Sequence, residues 1–178
     1  IDYNATATIG SYDAAVAANG IAESRRTVLN VHIKVDTGMG RYGFNPGETD
    51  KILAIFRYMP NLAVSGLYTH LSRAWMGEKA VKPQTDALQR VAAVMRKNNF
   101  DPGILHAANS SALLKEYPCA KLDAVRVGSA LTGRVAVKGS FGLIPVGKAQ
   151  CPVTEVRWLG KGQSIGYGGS YICRKPTK

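Results

Sequence analysis

Two hydrophobic rhythms alternate along the chain. Val28 to Val35 is an apolar, β-branched run and predicts a strand. Glu48 to Met59 carries Ile52, Leu53, Ile55 and Phe56 at helical spacing and meets Pro60, so it predicts a helix with a firm stop. Val64 to Leu71 predicts a second strand. Gln84 to Asn98 predicts a long amphipathic helix through Leu88, Val91, Val94 and Met95. Pro102 to Asn109 follows as a third strand, Ser111 to Glu116 as a short helix, and Asp123 to Ala130 as a fourth strand. Ahead of them all, the Ala-rich stretch Ser11 to Glu23 predicts a helix with Ser11 as its N-cap.

Strands that alternate with helices of crossover length predict a parallel sheet. Polar residues gather where the strands end: Lys34 and Arg41, His70, Asn109 and Ser110, then Arg126. In a (β/α)8 barrel such ends converge on one mouth, where ligands bind. About four units fit here, roughly half of such a barrel. The expected fold is therefore α/β, a partial TIM barrel over residues 1–145. Past Gly139 the texture changes. Val146 to Leu159 and Gln163 to Cys173 predict strands joined by a turn at Leu159-Gly160-Lys161-Gly162. Residues 146–178 thus predict the beginning of a separate antiparallel β domain. Ile1-Asp2-Tyr3-Asn4 has no initiator Met, no basic region and no apolar region, and reads as a cut inside a longer chain.

Composition narrows the function. With 46% hydrophobic and 20% charged residues the chain is globular rather than disordered. No apolar run is long enough to cross a bilayer, so no membrane partner is expected. A net charge of +11 raises nucleic acid as a partner, but the cations are scattered and no RNA-binding aromatic motif is present. Nucleic acid is not expected either. Cys119, Cys151 and Cys173 are far apart and form no metal spacing, which points to reduced thiols in the cytoplasm and no metal.

The chemistry centres on Val31-His32-Ile33-Lys34-Val35-Asp36-Thr37-Gly38-Met39-Gly40-Arg41-Tyr42-Gly43-Phe44. A buried strand runs into a glycine-rich loop, with Lys34 and Arg41 as two cations at its carboxyl end. A loop of this kind suits an anionic ligand. Gly38 to Gly43 also spells the GxGxxG of a dinucleotide site, but the fingerprint does not hold. Asn45-Pro46-Gly47 delays any helix, and no acid lies between Asp50 and Glu78 to meet a ribose.

Lys34 to Phe44, Thr69-His70, His106-Ala107-Ala108-Asn109-Ser110, Val125 to Gly128 and Gly166-Tyr167-Gly168-Gly169-Ser170-Tyr171 resemble, in order and spacing, the alanine racemase family. The resemblance covers nearly the whole chain. It implies an N-terminal (β/α)8 barrel with a C-terminal β domain, pyridoxal 5'-phosphate as cofactor, a homodimer, and a small amino acid as substrate. It also implies racemisation of L- to D-alanine for cell-wall peptidoglycan. The chain corresponds to the second half of the barrel and the first strands of the β domain. The family's cofactor lysine, in a motif resembling Val-Lys-Ala-Asn-Ala-Tyr-Gly-His-Gly, has no counterpart in the sequence.

What the resemblance implies for single residues is as follows. Arg41 contacts the cofactor's phenolic oxygen and the substrate carboxylate, a task for a planar guanidinium fork; the lesser alternative is a surface arginine on a loop. Lys34 matches a lysine that is carbamylated in some members and plain in others. Arg126 matches the arginine facing the pyridine nitrogen. It donates a hydrogen bond without giving up a proton, and so keeps the cofactor a weaker electron sink; the lesser alternative is a structural ion pair at a strand end. His70 matches a histidine linking that arginine to a catalytic tyrosine, where a lone strand histidine is otherwise a core residue. Asn109 orients the arginine. Ser110, with the amides of Gly128 and Ser129, holds the phosphate, at a strand end and a short helix start. Tyr167 matches the tyrosine that takes the α-proton of the L-enantiomer from across the dimer.

The sequence departs from the family at Leu71-Ser72-Arg73-Ala74-Trp75, at Val127 and Ser129, and at Leu131-Thr132-Gly133. These positions leave serine or broad-specificity racemisation open beside alanine. A non-catalytic remnant that binds phosphate or a partner chain is the alternative of another class.

Overall fold

The computed structural model describes Tyr3 and residues 5–178. Its contacts divide the chain into two units, one reaching Val146 and the other Gly147–Lys178.

The first unit is built on a parallel sheet of five strands in the order β1-β2-β3-β4-β5. These are β1 Ala7–Ile9, β2 Leu29–Lys34, β3 Leu62–Tyr68, β4 Ile104–Asn109 and β5 Ala124–Arg126. Sequence order and spatial order coincide, as they do when each crossover has the same hand and the sheet curls toward a barrel. The crossovers hold α1 Tyr12–Ser24, α2 Thr49–Tyr58 and α3 Glu78–Lys97, and α4 Ser110–Leu114 follows β4. Ser11 caps α1, its Oγ accepting from the Ala14 amide at 3.2 Å. No helix among the described residues is long and apolar enough to cross a membrane.

The two faces of the sheet are chemically different, and that difference makes the site. Side chains alternate along a strand. Val31 and Ile33 of β2, and Val35 just after it, enter the apolar core together with Leu67 of β3, Leu105 and Ala107 of β4, and Ile52, Leu88 and Val91 from the helices. The intervening residues face the other way. Parallel register sets Thr8 beside His32, His32 beside Gly66, Lys34 beside Tyr68, and Tyr68 beside His106. A parallel sheet covered on both faces normally carries apolar residues on both. Here the second face is polar from β1 to β5.

Two irregularities aim this polar face. Between Val31 and His32 the pairing with β3 skips a residue, so that Gly66 falls opposite His32. Between His106 and Asn109 β4 carries one residue more than β5, which sets Ala124 opposite His106 but Arg126 opposite Asn109. Bulges of this kind re-aim side chains.

Several expectations need correction. Strand β1 escaped sequence reading: three residues are too short for a pattern and depend on pairing with Val31 to Ile33. Helix α3 begins at Glu78, before Pro83, because a proline in the second turn forfeits a single intrahelical bond. The fourth predicted strand stops at Arg126, and Ser129–Thr132 is a 3₁₀ turn.

In the second unit, the strand predicted over Val146 to Leu159 is absent. Residues 147–158 are exposed, have no hydrogen-bonded neighbouring strand among the described residues, and include Pro152, which has no N–H. The antiparallel pairing lies further on. Ser164–Ile165 (β6) pairs with Tyr171–Ile172 (β7) around a turn at Tyr167–Gly169. An isolated bridge joins Leu159 to Thr177. The predicted single strand Gln163 to Cys173 is thus itself a hairpin, folded at its glycines.

Candidate active site at the carboxyl ends of the strands

Asp36 organises the loop after β2. Its Oδ1 accepts from the amides of Gly38, Met39 and Gly40 at 3.0, 2.8 and 3.1 Å, and Oδ2 accepts from the Arg41 amide at 3.0 Å. Partial burial pushes this carboxyl up, but the four N–H donors outweigh it and hold it below the usual range. The glycine loop was expected to hold an anionic ligand. Its amides instead hold an anion supplied by the chain itself. The loop then returns to the sheet, with Asp36 N–H donating to the Phe44 carbonyl at 2.8 Å and Phe44 N–H to the Lys34 carbonyl at 2.9 Å. Gly43 makes that return possible: φ is +126°, and a Cβ there would lie 2.8 Å from the Asp36 nitrogen.

Lys34 is completely buried. Its Nζ donates to the Tyr42 carbonyl and lies 4.3 Å from the centre of the Tyr42 ring. Burial pushes the amine below its ordinary value, with the charges of Arg41 and Arg126 adding to the effect and Asp36 and Tyr42 opposing it. Arg41 is exposed; its guanidinium lies 5.6 Å from the same ring.

Arg126 reaches across the polar face. Its NH2 donates to the Thr69 carbonyl at 2.6 Å and the Ala107 carbonyl at 3.4 Å, and NH1 lies 2.8 Å from His106 Nδ1 and 3.3 Å from the His106 carbonyl. The guanidinium carbon lies 4.8 Å from the Tyr68 ring centre. All these partners are neutral. Among the described residues no carboxylate pairs with this cation.

A guanidinium only donates, so His106 Nδ1 is the acceptor. The His106 proton is then on Nε2, which lies 3.0 Å from His32 Nδ1. His106 stacks on Tyr68 at 4.8 Å and meets His32 edge-on at 5.0 Å. Burial, then the Arg126 charge, then His32 push the His106 imidazole down to about 4, so it is neutral at pH 7. Tyr68 closes the layer: its Oη is 3.1 Å from Thr8 Oγ1 and 3.3 Å from Tyr42 Oη.

The remaining candidates fall as follows. His70 is half-buried, and burial followed by the charges of Arg126, Arg41 and Lys34 pushes it below its ordinary value. It makes no hydrogen bond to Arg126, whose imidazole partner is His106. Asn109 caps α4, with Oδ1 accepting from the Ala112 amide at 3.1 Å and Nδ2 donating to the Leu71 carbonyl at 3.4 Å. It bonds the start of that helix rather than the arginine. Ser110 is buried, and its Oγ accepts from the amides of Gly128 and Ala130 at 3.1 and 3.2 Å. Ser129 is exposed at the start of the 3₁₀ turn. A Cβ at Gly128 would meet nothing within 4 Å, so open space adjoins this amide. Tyr167 lies in the second unit, fully exposed at the tip of the hairpin.

Sequence reading assigned no role to His32, Tyr68, Asp36 or Tyr42. A signal existed for the first two: His32 stands two residues before Lys34 on one strand, and Tyr68 two before His70 at the end of the next. Polar residues at that spacing share a sheet face.

Five parallel strands in sequence order, with cations and imidazoles clustered at one end of the sheet, define the class: part of an α/β barrel. Residues 1–135 match the family model described as alanine racemase, N-terminal domain. The chain belongs to the alanine racemase family. It is 35% identical over 181 residues to the alanine racemase of Thermodesulfovibrio yellowstonii, covering 98% of this chain and 46% of that protein. It is 33% identical over 184 residues to that of Desulforamulus reducens, covering 99% and 49%. The solved alanine racemase of Streptomyces coelicolor superposes with a TM-score of 0.78 at 26% identity, covering 99% of this chain and 49% of that one. The enzyme from Streptomyces lavendulae gives 0.77 at 25% identity, over 97% and 47%. The chain spans about half the length of the relatives it matches.

Proposed function

We propose that this chain builds the ring-facing and anion-facing side of a pyridoxal 5'-phosphate site that racemises alanine in the whole protein. One observation carries the reading. Arg126 is a partly buried cation whose hydrogen-bond partners are all neutral, and Arg41, like Arg126, brings its charge near His70. Like charges so arranged repel each other, and an anionic ligand offsets that cost.

The residues fit the cofactor. Arg126 would donate to the pyridine nitrogen without protonating it. Ser110, Gly128 and Ser129 would hold the phosphate; the open space at Gly128 leaves room, and the Ser110 hydroxyl retains a proton to donate. Pyridoxal phosphate, when bound, supplies the electron sink that makes an amino acid's α-proton removable. Arg41 would orient the substrate carboxylate, with Asp36 fixing the loop that carries it. Lys34, as a carbamate, would turn a cation beside Arg41 into an anion that steadies it. His70, Asn109 and Tyr68 would line the same mouth. The Tyr167 Oη would take the α-proton of L-alanine, presented to the active site of a second copy in a cytoplasmic homodimer. Residues 146–178 would begin the β domain that carries it.

The test is titration of the chain with pyridoxal phosphate, followed by cofactor absorbance. Arg126→Leu and Ser110→Ala are each expected to weaken binding about tenfold, the loss of one charge-assisted or phosphate contact. Unchanged binding in both variants overturns the assignment.

A further inference from the structure

We propose that His32 is a positioning residue: it fixes the orientation of the His106 imidazole, and through it the orientation of Arg126. The proposal rests on the reading of Arg126 just given.

An imidazole held by one hydrogen bond can still turn about its Cβ–Cγ bond. His106 is held at both nitrogens. Nδ1 accepts from Arg126 at 2.8 Å, and Nε2 lies 3.0 Å from His32 Nδ1. The donor character of arginine then propagates. His106 carries its proton on Nε2, His32 must receive that proton at Nδ1, and His32 carries its own on Nε2. A single protonation pattern satisfies both contacts while both rings stay neutral. Tyr68, stacked on His106 at an interplanar angle of 15°, blocks rotation from one side.

The sheet is shaped to admit the His32 ring. A Cβ at Gly66 would lie 2.7 Å from His32 Cδ2 and from Nε2, closer than any real Cβ contact. Gly66 reaches this position only because the β2–β3 pairing skips a residue just before His32. Glycine in a strand interior costs stability and marks a close approach. Here the group that approaches is the His32 ring. The relay also leaves the charge of Arg126 intact, since both members are neutral imidazoles. A carboxylate in place of His106 would hold the guanidinium equally well but cancel the charge the ligand needs.

The experiment is long-range 1H–15N spectroscopy on the full chain, ¹⁵N-labelled at histidine and arginine, without cofactor. At neutral pH His32 and His106 are each expected as a single Nε2–H tautomer. His32→Asn sets a side-chain oxygen near the position of Nδ1 and should preserve the His106 pattern. His32→Leu should release it, adding a second His106 tautomer and speeding exchange of the Arg126 Nη protons with water at least tenfold. A proton on His106 Nδ1 in the wild type overturns the proposal. So does a His32→Leu protein whose His106 and Arg126 signals match the wild type. If His32→Leu does not fold, Gly66→Ala crowds the ring from its other side and should speed the same exchange; unchanged exchange overturns the proposal equally. No cofactor is present, so failure of pyridoxal phosphate to bind would count against the proposed function and leave this relay standing.

Discussion

Arg126 NH1 and His106 Nδ1 stand 2.8 Å apart, and their bond exists only while the imidazole is neutral. A protonated His106 would turn a donor toward a donor. This fixes a sign for the pH dependence. In the folded chain His106 titrates at about 4, against 6.5 for an unperturbed histidine. Between those values the unfolded chain binds the extra proton and the folded one does not. The stability is therefore complete above about pH 6.5 and is lost as pH falls toward 4. The loss attributable to this group is at most about 3 kcal/mol. Urea unfolding at pH 7.5 and pH 5 should show the fall, and His106→Asn, which keeps an acceptor for Arg126 but does not titrate, should show a smaller one. Equal falls in the two proteins would assign the pH dependence elsewhere.

Lys34 should react with carbon dioxide. Its amine is buried and held below the usual lysine range, so more of it is the uncharged nucleophile at a given pH. Nζ would bond to the carbon of CO2 and release a proton, giving a carbamate. Incubation with ¹³C-bicarbonate at pH 8 should give a carbamate carbon resonance that is missing from Lys34→Met. A spectrum without that resonance in the wild-type chain would mean that Lys34 acts as a plain amine.

Asp36 should matter more than its half-buried loop setting suggests. Removing its carboxylate strips the acceptor from four backbone amides at once. Asp36→Ala is expected to cost about 2–3 kcal/mol in denaturant unfolding. Asp36→Asn should cost less, since Oδ1 still accepts while the new NH2 faces the Arg41 amide. If both substitutions change stability by less than about 0.5 kcal/mol, in the range of ordinary surface changes, the loop is held by something else.

The sequence-level reading and the structure agree where one strong period rules and part where pairing decides. Val28 to Val35 and Glu48 to Met59 announce a strand and a helix, because burial against a core demands those periods. Lys34, Arg41 and Arg126 could be named as one site because strand ends converge in this fold. The partner of Arg126 was not readable. His106 lies inside β4 and His70 just beyond β3, and the register of Arg126 against β4 is shifted by one extra residue, which no periodicity records. The same holds for Val146 to Leu159. Its apolar, β-branched content is strand-like, but a strand also needs a neighbour for its backbone, and the described residues offer none.

The chain of residues 1–178, taken by itself, should not racemise alanine. Racemisation by two bases, the route the family resemblance implies, needs a proton acceptor on each side of Cα. On the proposed reading Tyr167 would serve one face, and family resemblance assigns the other to the cofactor lysine, whose motif does not occur in this sequence. The buried amine that is present, Lys34, donates to the Tyr42 carbonyl and lies 4.3 Å from the centre of its ring. The sheet adds a second obstacle. Among the described residues β1 pairs only with β2, and β5 only with β4, so both edges are open to association. The measurement is purification of residues 1–178, addition of pyridoxal phosphate and L-alanine, and chiral chromatography for D-alanine. The expected yield equals that of the free cofactor. Sustained turnover above it would show that another lysine serves the second face, and Lys34→Met would be the first variant to try.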